Sequence, residues 1–191
     1  RKTRSMILSG DIGGTNTRLA LVERNATGRF QFVALQTFPS REYQGLDEIV
    51  AQFLQGQHAQ AEAACFGCAG PVEKGRCETM NLTWVVDQRA LAESLGIPHV
   101  RVINDLEAIA YGVSCLGTEH IEILNPGAPG ATGHAVIVAP GTGLGEAGMY
   151  WDGQQYHPIA TEGGHADFAP RNELEIELLS FLLKEFDHLS Y

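Results

Sequence analysis

Residues 11–16 read Asp-Ile-Gly-Gly-Thr-Asn and separate two apolar runs, residues 5–10 and 18–22. Two strand-like runs joined by a Gly-Gly turn predict a β-hairpin. A third run, residues 30–38, alternates imperfectly between apolar and polar side chains, and we expect it to join the same sheet. The chain is therefore expected to begin with three strands.

Helical and extended patterns alternate beyond this hairpin. Apolar side chains recur at helical spacing over residues 46–54, and residues 63–68 have the composition of a buried strand. Asp87 is a good N-cap for a helix to Leu95, where Gly96 and Pro98 follow. Strands alternating with helices predict an α/β fold. The other predicted elements are an extended segment at 77–86, strands at 100–103, 135–139 and 146–151, and helices at 106–116 and 172–186.

Length and charge narrow the class of protein. A chain of 191 residues, 44% of them hydrophobic, suits one large domain or two small lobes. We divide it into a first lobe, residues 1–116, and a second lobe, residues 117–191. The net charge of -10 argues against nucleic acid as a partner, because phosphate backbones bind basic surfaces. A small phosphorylated ligand stays compatible, since backbone N–H groups and a divalent cation can hold phosphates.

The sequence contains no obvious targeting or membrane segment. No apolar run approaches the roughly 20 residues that span a bilayer. The basic start, residues 1–5, is followed by an apolar run that Asp11 interrupts too early for a secretory signal. We therefore expect a cytoplasmic protein without a membrane partner.

Cys65 and Cys68 form a C-x-x-C pattern, which is compatible with a redox pair or half of a zinc site. The second pair and the histidine spacing that would complete a zinc site are missing. Their segment has the composition of a buried strand that runs into a turn. Burial as small hydrophobic side chains is the favoured interpretation.

Two glycine turns are candidate phosphate-binding loops. In residues 11–16 the glycines allow the backbone to approach an anion, and Asp11 could hold Mg²⁺ directly or through water. A plain hairpin turn explains the same glycines, although it does not require the acid. The second turn is Gly-Thr-Gly-Leu-Gly at 141–145. Residues 143–148 also fit G-x-G-x-x-G, but a strand rather than a helix follows, so a dinucleotide fingerprint is rejected.

Polar residues follow a strand and occupy a third glycine turn. Asn104 and Asp105 lie at the carboxyl end of a predicted strand, where open α/β sheets bind their ligands. Glu162-Gly-Gly-His165 adds a carboxylate and an imidazole, groups that suit sugar hydroxyls. Taken singly, Asp105 is explained as a helix N-cap and His165 as a structural histidine. Phosphoryl transfer to a hydroxyl, however, requires a carboxylate beside the attacking oxygen.

Four motifs in this order resemble the bacterial glucokinase family of the zinc-free type. They are residues 11–16, Ile-Asn-Asp-Leu-Glu-Ala at 103–108, Pro-Gly-Thr-Gly-Leu-Gly at 140–145, and Glu-Gly-Gly-His-Ala-Asp-Phe-Ala-Pro at 162–170. That family belongs to the hexokinase, heat-shock ATPase and actin superfamily. The resemblance implies an actin-like ATPase (ribonuclease H-like) fold with two lobes and the ligand cleft between them. It also implies ATP-dependent phosphorylation of glucose at the 6-hydroxyl, giving glucose 6-phosphate and ADP, as in glycolysis.

The resemblance assigns roles to individual residues. Asp105 matches the catalytic base, and the cofactors implied are ATP and Mg²⁺, with Asp11 as the magnesium residue. No zinc is expected, because residues 166–177 contain no cysteine. The residues implied to bind glucose are Asn104, Asp105, Gly143, Glu162 and His165. Those implied to bind the phosphates of ATP are Gly10, Asp11, Ile12, Gly13, Gly14, Thr15, Gly141, Thr142 and Gly143.

The family pattern continues beyond residue 191, so this chain resembles the first three-fifths of the enzyme, with the second lobe incomplete. Three alternatives stay open: a kinase for another hexose or an amino sugar, a non-catalytic sugar-sensing module, and a chaperone-type ATPase. The last would not need the cluster from Glu162 to His165. Glucose and ATP are the expected partners, and a homodimer is left open.

Overall fold

The computed structural model describes residues 6–25, 30–57, 60–79, 82–141 and 143–190. The chain divides into two compact units, Arg1–Ala108 and Ile109–Tyr191. These units divide between residues 108 and 109, whereas the sequence predicts two lobes that divide after residue 116. The lobe boundary stays a prediction. Thr142 of the second glycine turn lies outside the described residues.

The first unit contains a five-stranded sheet in the order β3-β2-β1-β4-β8. The predicted hairpin is confirmed, since β1 and β2 pair antiparallel and β3 extends them, while β4 and β8 run parallel to β1. The strands of this unit are β1 (Met6–Ile12), β2 (Asn16–Arg24), β3 (Phe30–Pro39), β4 (Ala61–Cys68), β5 (Val72–Glu73), β6 (Arg76–Glu78), β7 (Val85–Asp87) and β8 (His99–Asn104), and its helices are α1 (Leu46–Gln55), α2 (Gln88–Leu95) and the start of α3 (Asp105–Val113).

One apolar core joins this sheet to α1 and α2. The helical spacing in α1 places Ile49, Val50 and Phe53 on one face, all of them buried. The ring of Phe53 meets Phe38 of β3 edge-on, with centroids 6.4 Å apart. The predicted cap of α2 is confirmed, because the Asp87 carboxylate accepts hydrogen bonds from the amides of residues 89 and 90.

The predicted extended segment at 77–86 is only partly correct. β6 and β7 pair with each other, and the described residues between them are not in a strand. The single hydrogen of the Thr79 hydroxyl is within reach of the carbonyls of Leu82 and Trp84, whose oxygens lie 3.3 and 3.1 Å from Oγ1. Thr79 N also donates to the Trp84 carbonyl at 3.3 Å, so the residues between β6 and β7 form a turn held by Thr79.

The second unit contains a three-stranded antiparallel sheet in the order β11-β10-β9, followed by α4. Strand β11 was not predicted from the sequence. Asp152 creates the turn before it by accepting the amides of Gln154 and Gln155. The elements are β9 (Ala135–Pro140), β10 (Leu144–Trp151), β11 (Tyr156–Ala160) and α4 (Glu173–Leu182).

Helices α3 and α4 both end earlier than predicted. Each finishes in a tighter turn of i to i+3 hydrogen bonds, such as Leu116 N to Val113 O and Lys184 N to Phe181 O. The apolar periodicity continues through such a turn, so the sequence pattern overestimates helix length. Across the described part of the chain, every helix is too short or too polar to cross a membrane.

Candidate functional site

The first glycine turn joins β1 to β2 and is closed by a hydrogen bond from Gly13 N to Asn16 O, 3.1 Å long. Gly10 precedes the turn within β1 and faces the core. A side chain there would lie 2.5 Å from Phe66 Cδ1, so close packing requires glycine at this position. Ile12 is also buried in the core, whereas Asp11 between them is exposed. Gly10 and Ile12 pair with both neighbouring strands, and a phosphate-binding role for their backbone stays a prediction.

Arg18 pairs with Asp11 across the hairpin. Its Nη1 donates to Asp11 Oδ2 at 3.1 Å, and both side chains are more than half exposed. An exposed pair of this kind adds only about 0–1 kcal/mol to stability. It places a guanidinium beside the turn, whereas the sequence pattern indicates only an apolar run at residues 18–22.

Asp11 fits the role of a magnesium residue. Mg²⁺ in phosphoryl-transfer sites is commonly held by one or two carboxylates together with substrate phosphates and water. A single exposed carboxylate next to a glycine turn matches that donor set. The described residues contain no group of three or more acidic, cysteine or histidine side chains that could hold a metal without such help.

Asn104 connects the end of β8 to α3 and a neighbouring loop. It is 6% exposed, and its Oδ1 accepts the amides of Leu106 and Glu107 at 2.9 and 3.2 Å. Its Nδ2 donates to Gly70 O at 3.1 Å. An amide nitrogen carries two hydrogens, so this bond to Gly70 uses one of the two.

Asp105 is half-buried at the first position of α3. Its Oδ1 accepts the adjacent Leu106 amide at 2.9 Å, while Asn104 accepts the amides of Leu106 and Glu107. The N-cap role is thus performed mainly by Asn104. Both side chains therefore hold the start of α3, and a catalytic role for Asp105 stays a prediction.

The first turn and Asp105 lie at the same edge of the sheet. Ile12, Cys68 and Asn104 are in register across the parallel strands β1, β4 and β8, and each is the last residue of its strand. Neighbouring strands are separated by about 4.8 Å, so the ends of β1 and β8 are about 10 Å apart. A gap of this size has room for a phosphate group beside the turn and a hydroxyl group beside Asp105.

Gly67 allows α3 to approach β4 closely. A Cβ at this position would be 3.1 Å from Ala108 Cβ and 3.5 Å from Asp105 Cα. The glycine of the C-x-x-C pattern therefore helps to position Asp105, a role that the spacing of the cysteines does not indicate.

The cysteines of this segment have the character of packed side chains. Cys68 is completely buried and contacts Cys77, which is also buried. Burial is the main cause that raises the pKa of both thiols, so neither is a reactive thiolate. The structural interpretation of the pattern fits these surroundings.

The second glycine turn and the turn of residues 162–165 lie together in the second unit. Gly141 N donates to Gly143 O at 2.8 Å in the turn between β9 and β10, and both glycines are exposed. Gly164 packs so tightly on the backbone of Leu144 that an added Cβ would overlap the Leu144 carbonyl oxygen. Glycine is therefore required for the turn of residues 162–165 to pack on β10, the strand that follows the second glycine turn.

Glu162 and His165 are the exposed ends of this short helical turn. His165 N donates to Glu162 O at 2.9 Å, and Gly163 N donates to the Thr161 hydroxyl at 2.7 Å. The His165 ring lies against His188, with centroids 4.4 Å apart, and His188 Nε2 is 3.1 Å from Asp167.

The described site residues thus form two groups. In the first unit, Asn104 and Asp105 share a sheet edge with the turn after Asp11. In the second unit, Gly141 and Gly143 adjoin the turn of Glu162 and His165 through Leu144. Each group pairs a glycine turn with polar side chains suited to a sugar.

The glucokinase family model matches residues 8–191. The chain is 40% identical over 184 residues to a glucokinase of Nostoc punctiforme, covering 96% of this chain and 54% of the relative. It is 40% identical over 190 residues to a glucokinase of a Synechocystis species, covering 94% of this chain and 54% of that one. The chain thus spans about half the length of the curated relatives it matches.

A solved structure also shows similarity to a glucokinase. The glucokinase of an Antarctic psychrotroph superimposes with a TM-score of 0.79 at 31% identity, over 97% of this chain and 59% of that chain. The predicted α/β fold of the actin-like ATPase class is confirmed by this similarity. With the family model matching from Leu8 onward and both glycine turns in place, the chain belongs to the glucokinase family.

Proposed function

We propose that the complete protein containing this chain transfers the γ-phosphoryl group of ATP to the 6-hydroxyl of glucose, giving glucose 6-phosphate and ADP. The observation that carries the proposal is the shared sheet edge of the Gly13–Gly14 turn and Asp105, in a chain of the glucokinase family. Phosphoryl transfer needs little covalent chemistry from a protein, so alignment and charge stabilisation are the main requirements.

The two glycine turns bind the phosphates of ATP in this proposal. The turn of residues 10–15 contacts one part of the triphosphate, through the amides of Gly14 and Thr15, and the backbone of Gly141, Thr142 and Gly143 contacts another. Asp11 holds Mg²⁺, directly or through water. The bound ion supplies positive charge that neutralises the phosphate oxygens.

Glucose is bound by the side chains of Asn104, Asp105, Glu162 and His165 and by the backbone near Gly143. Asp105 accepts the proton of the 6-hydroxyl while that oxygen bonds to the γ-phosphorus and the bond to the ADP oxygen breaks. A positioned base of this kind contributes about 10²- to 10⁴-fold to the rate. Asn104 supports it by fixing the start of α3 with two accepted amides.

The setting of the enzyme belongs to the same proposal. We place it in the cytoplasm, where ATP and free glucose meet, without a nucleic-acid or membrane partner. A homodimer stays a prediction that light scattering of the complete protein tests.

The test is product formation by the complete protein. With ATP, Mg²⁺ and glucose we expect glucose 6-phosphate and ADP in equal amounts, measured by a dehydrogenase-coupled assay and by ³¹P NMR. A panel of hexoses and amino sugars then ranks kcat/KM. A higher value for another sugar would replace glucose as substrate, and glucose binding without any ADP would indicate a sugar-sensing module instead.

A further inference from the structure

Two buried hydroxyls lie beneath the first glycine turn. Among the described residues three polar side chains are buried, and two of them, Thr17 and Ser40, are 0% exposed. Ser40 follows β3, and Thr17 lies near the start of β2. A buried polar group is costly unless it is hydrogen-bonded, so the partners of these two side chains reveal their role.

Only one assignment of donors and acceptors fits the hydrogen bonds of these two hydroxyls. Ser40 Oγ donates to the Gly13 carbonyl at 2.7 Å, which uses its single hydrogen. The Thr17 hydroxyl, 2.9 Å from Ser40 Oγ, must then donate to Ser40. Ser40 also donates its own amide to the Thr15 carbonyl at 2.9 Å. Ser40 therefore holds two carbonyls of the turn, and Thr17 holds Ser40.

The Gly13 carbonyl and the Gly14 N–H belong to the same peptide group. Ser40 therefore fixes the orientation of both. No cis peptide occurs among the described residues, and in a trans peptide the N–H points opposite to the C=O. The Gly14 N–H therefore points away from buried Ser40. The amides of Gly14 and Thr15 donate to no acceptor within the described chain, and both residues are at least partly exposed.

We propose that Thr17 and Ser40 are positioning residues that hold the Gly14 amide toward the phosphates of ATP. This inference rests on the proposed function, because it assumes that the turn binds the nucleotide. Glycine at 13 and 14 leaves the free turn many conformations, which would have to be lost on binding. The hydroxyl pair selects the productive conformation beforehand, so its loss weakens nucleotide binding.

The inference distinguishes binding of the nucleotide from binding of the sugar. Ser40→Ala removes the hydrogen bond to Gly13, and we expect the KM and the Kd for Mg-ATP to rise about tenfold. The KM for glucose should change less than about twofold, because the sugar ligands do not contact Ser40. Thr17→Val, which keeps the shape but removes the hydroxyl, should raise both Mg-ATP constants about threefold, and Thr17→Ser should restore them.

The experiment uses the complete protein, with steady-state kinetics and calorimetric titration of ATP in the presence of Mg²⁺. Ile49→Val serves as the control, because it removes one methyl group from the same core without touching the turn. It should lower the unfolding temperature and leave the Mg-ATP constants unchanged.

The outcomes separate the two proposals. Unmodified protein that neither binds Mg-ATP nor phosphorylates glucose overturns the proposed function, and this inference with it. Active protein in which Ser40→Ala and Thr17→Val lower only the unfolding temperature overturns this inference alone. If Ser40→Ala does not fold, the comparison of Thr17→Val with Thr17→Ser decides.

Discussion

The two units hold their glycine turns in different ways. In the first unit the turn rests on buried hydroxyls above a continuous apolar core that includes Phe53 and Phe66. In the second unit the turn extends from a three-stranded sheet, and α4 has no buried residue, with Phe181 63% exposed. The conformation of the first turn is therefore fixed by packing and hydrogen bonds within its own unit. The second depends on the contact of Gly164 with Leu144.

The largest expected effect concerns the chemistry assigned to the first unit. Asp105→Asn keeps an acceptor for the Leu106 amide but removes the base, so kcat of the complete protein should fall about 10²- to 10⁴-fold. The KM values should change little. The measurement is the coupled assay for glucose 6-phosphate.

The control for Asp105 is another acidic residue at a helix start. Asp87 caps α2 through two amides, and Asp87→Asn retains that acceptor oxygen. It should leave turnover within about twofold, since capping affects stability rather than chemistry. Equal losses of turnover in the two variants would reduce Asp105 to a structural cap.

The difference in core depth predicts different responses to truncation. Phe53→Ala should lower the free energy of unfolding of the first unit by about 3–5 kcal/mol, because it opens a cavity in a packed core. Phe181→Ala should cost less than about 0.5 kcal/mol in the 191-residue chain, because that ring is largely exposed.

Each unit contains one of the two tryptophans, so the units can be followed separately. Trp84 reports on the first unit, where its Nε1 donates to Tyr43 O at 3.1 Å, and Trp151 reports on the second. Urea unfolding is measured by fluorescence in Trp151→Phe and Trp84→Phe backgrounds. If Phe181→Ala lowered the free energy of unfolding as much as Phe53→Ala, the proposed difference in packing between the two units would be contradicted.

A third prediction tests the glycine contact in the second unit. Gly164→Ala places a Cβ on the Leu144 carbonyl, and overpacking of this kind costs about 1–3 kcal/mol. We expect the turn to shift and the KM for glucose to rise about tenfold, since Glu162 and His165 move with it. Steady-state kinetics of the complete protein measure both KM values.

Gly148→Ala is the matched control on the same sheet. Its added Cβ would be 3.6 Å from Ile159 Cβ, an ordinary contact distance, so both KM values should stay near those of the unmodified protein. Normal glucose binding by Gly164→Ala would show that the positions of Glu162 and His165 do not depend on the contact of Gly164 with Leu144.

The same contrast explains what the sequence could reveal. Local patterns predicted the hairpin around residues 13 and 14, the capped helix α2 and the α/β alternation, because these depend on neighbours in sequence. Ser40 and Thr17 are 23 residues apart, and no spacing rule connects two short polar side chains across strands. Gly67 and Gly164 were visible as glycines, but the backbone that approaches each of them belongs to a distant segment. Strand β11 was missed because the turn chemistry of Asp152 was not considered.

The smallest expected effect is the pH dependence of the β10–β11 turn. The pKa of Asp152 is lowered to about 2, first by the hydrogen bond from the Gln155 amide, then by His157 and by the Gln154 amide. Since the folded pKa lies below the ordinary value of 3.8, folding favours the carboxylate. Its stabilising contribution is complete above about pH 4 and is lost as the pH falls through about 2.

A carboxyl ¹³C NMR titration of the 191-residue chain measures this pKa directly. Asp152→Asn retains an oxygen for the two amides but cannot titrate, so the amide shifts of Gln154 and Gln155 should lose their dependence on acid. Those amides hold the turn that brings β11 back beside β10. A midpoint near 3.8 for the Asp152 carboxyl would mean that its hydrogen bonds to the two amides are absent in solution. The turn between β10 and β11 would then not be held by Asp152.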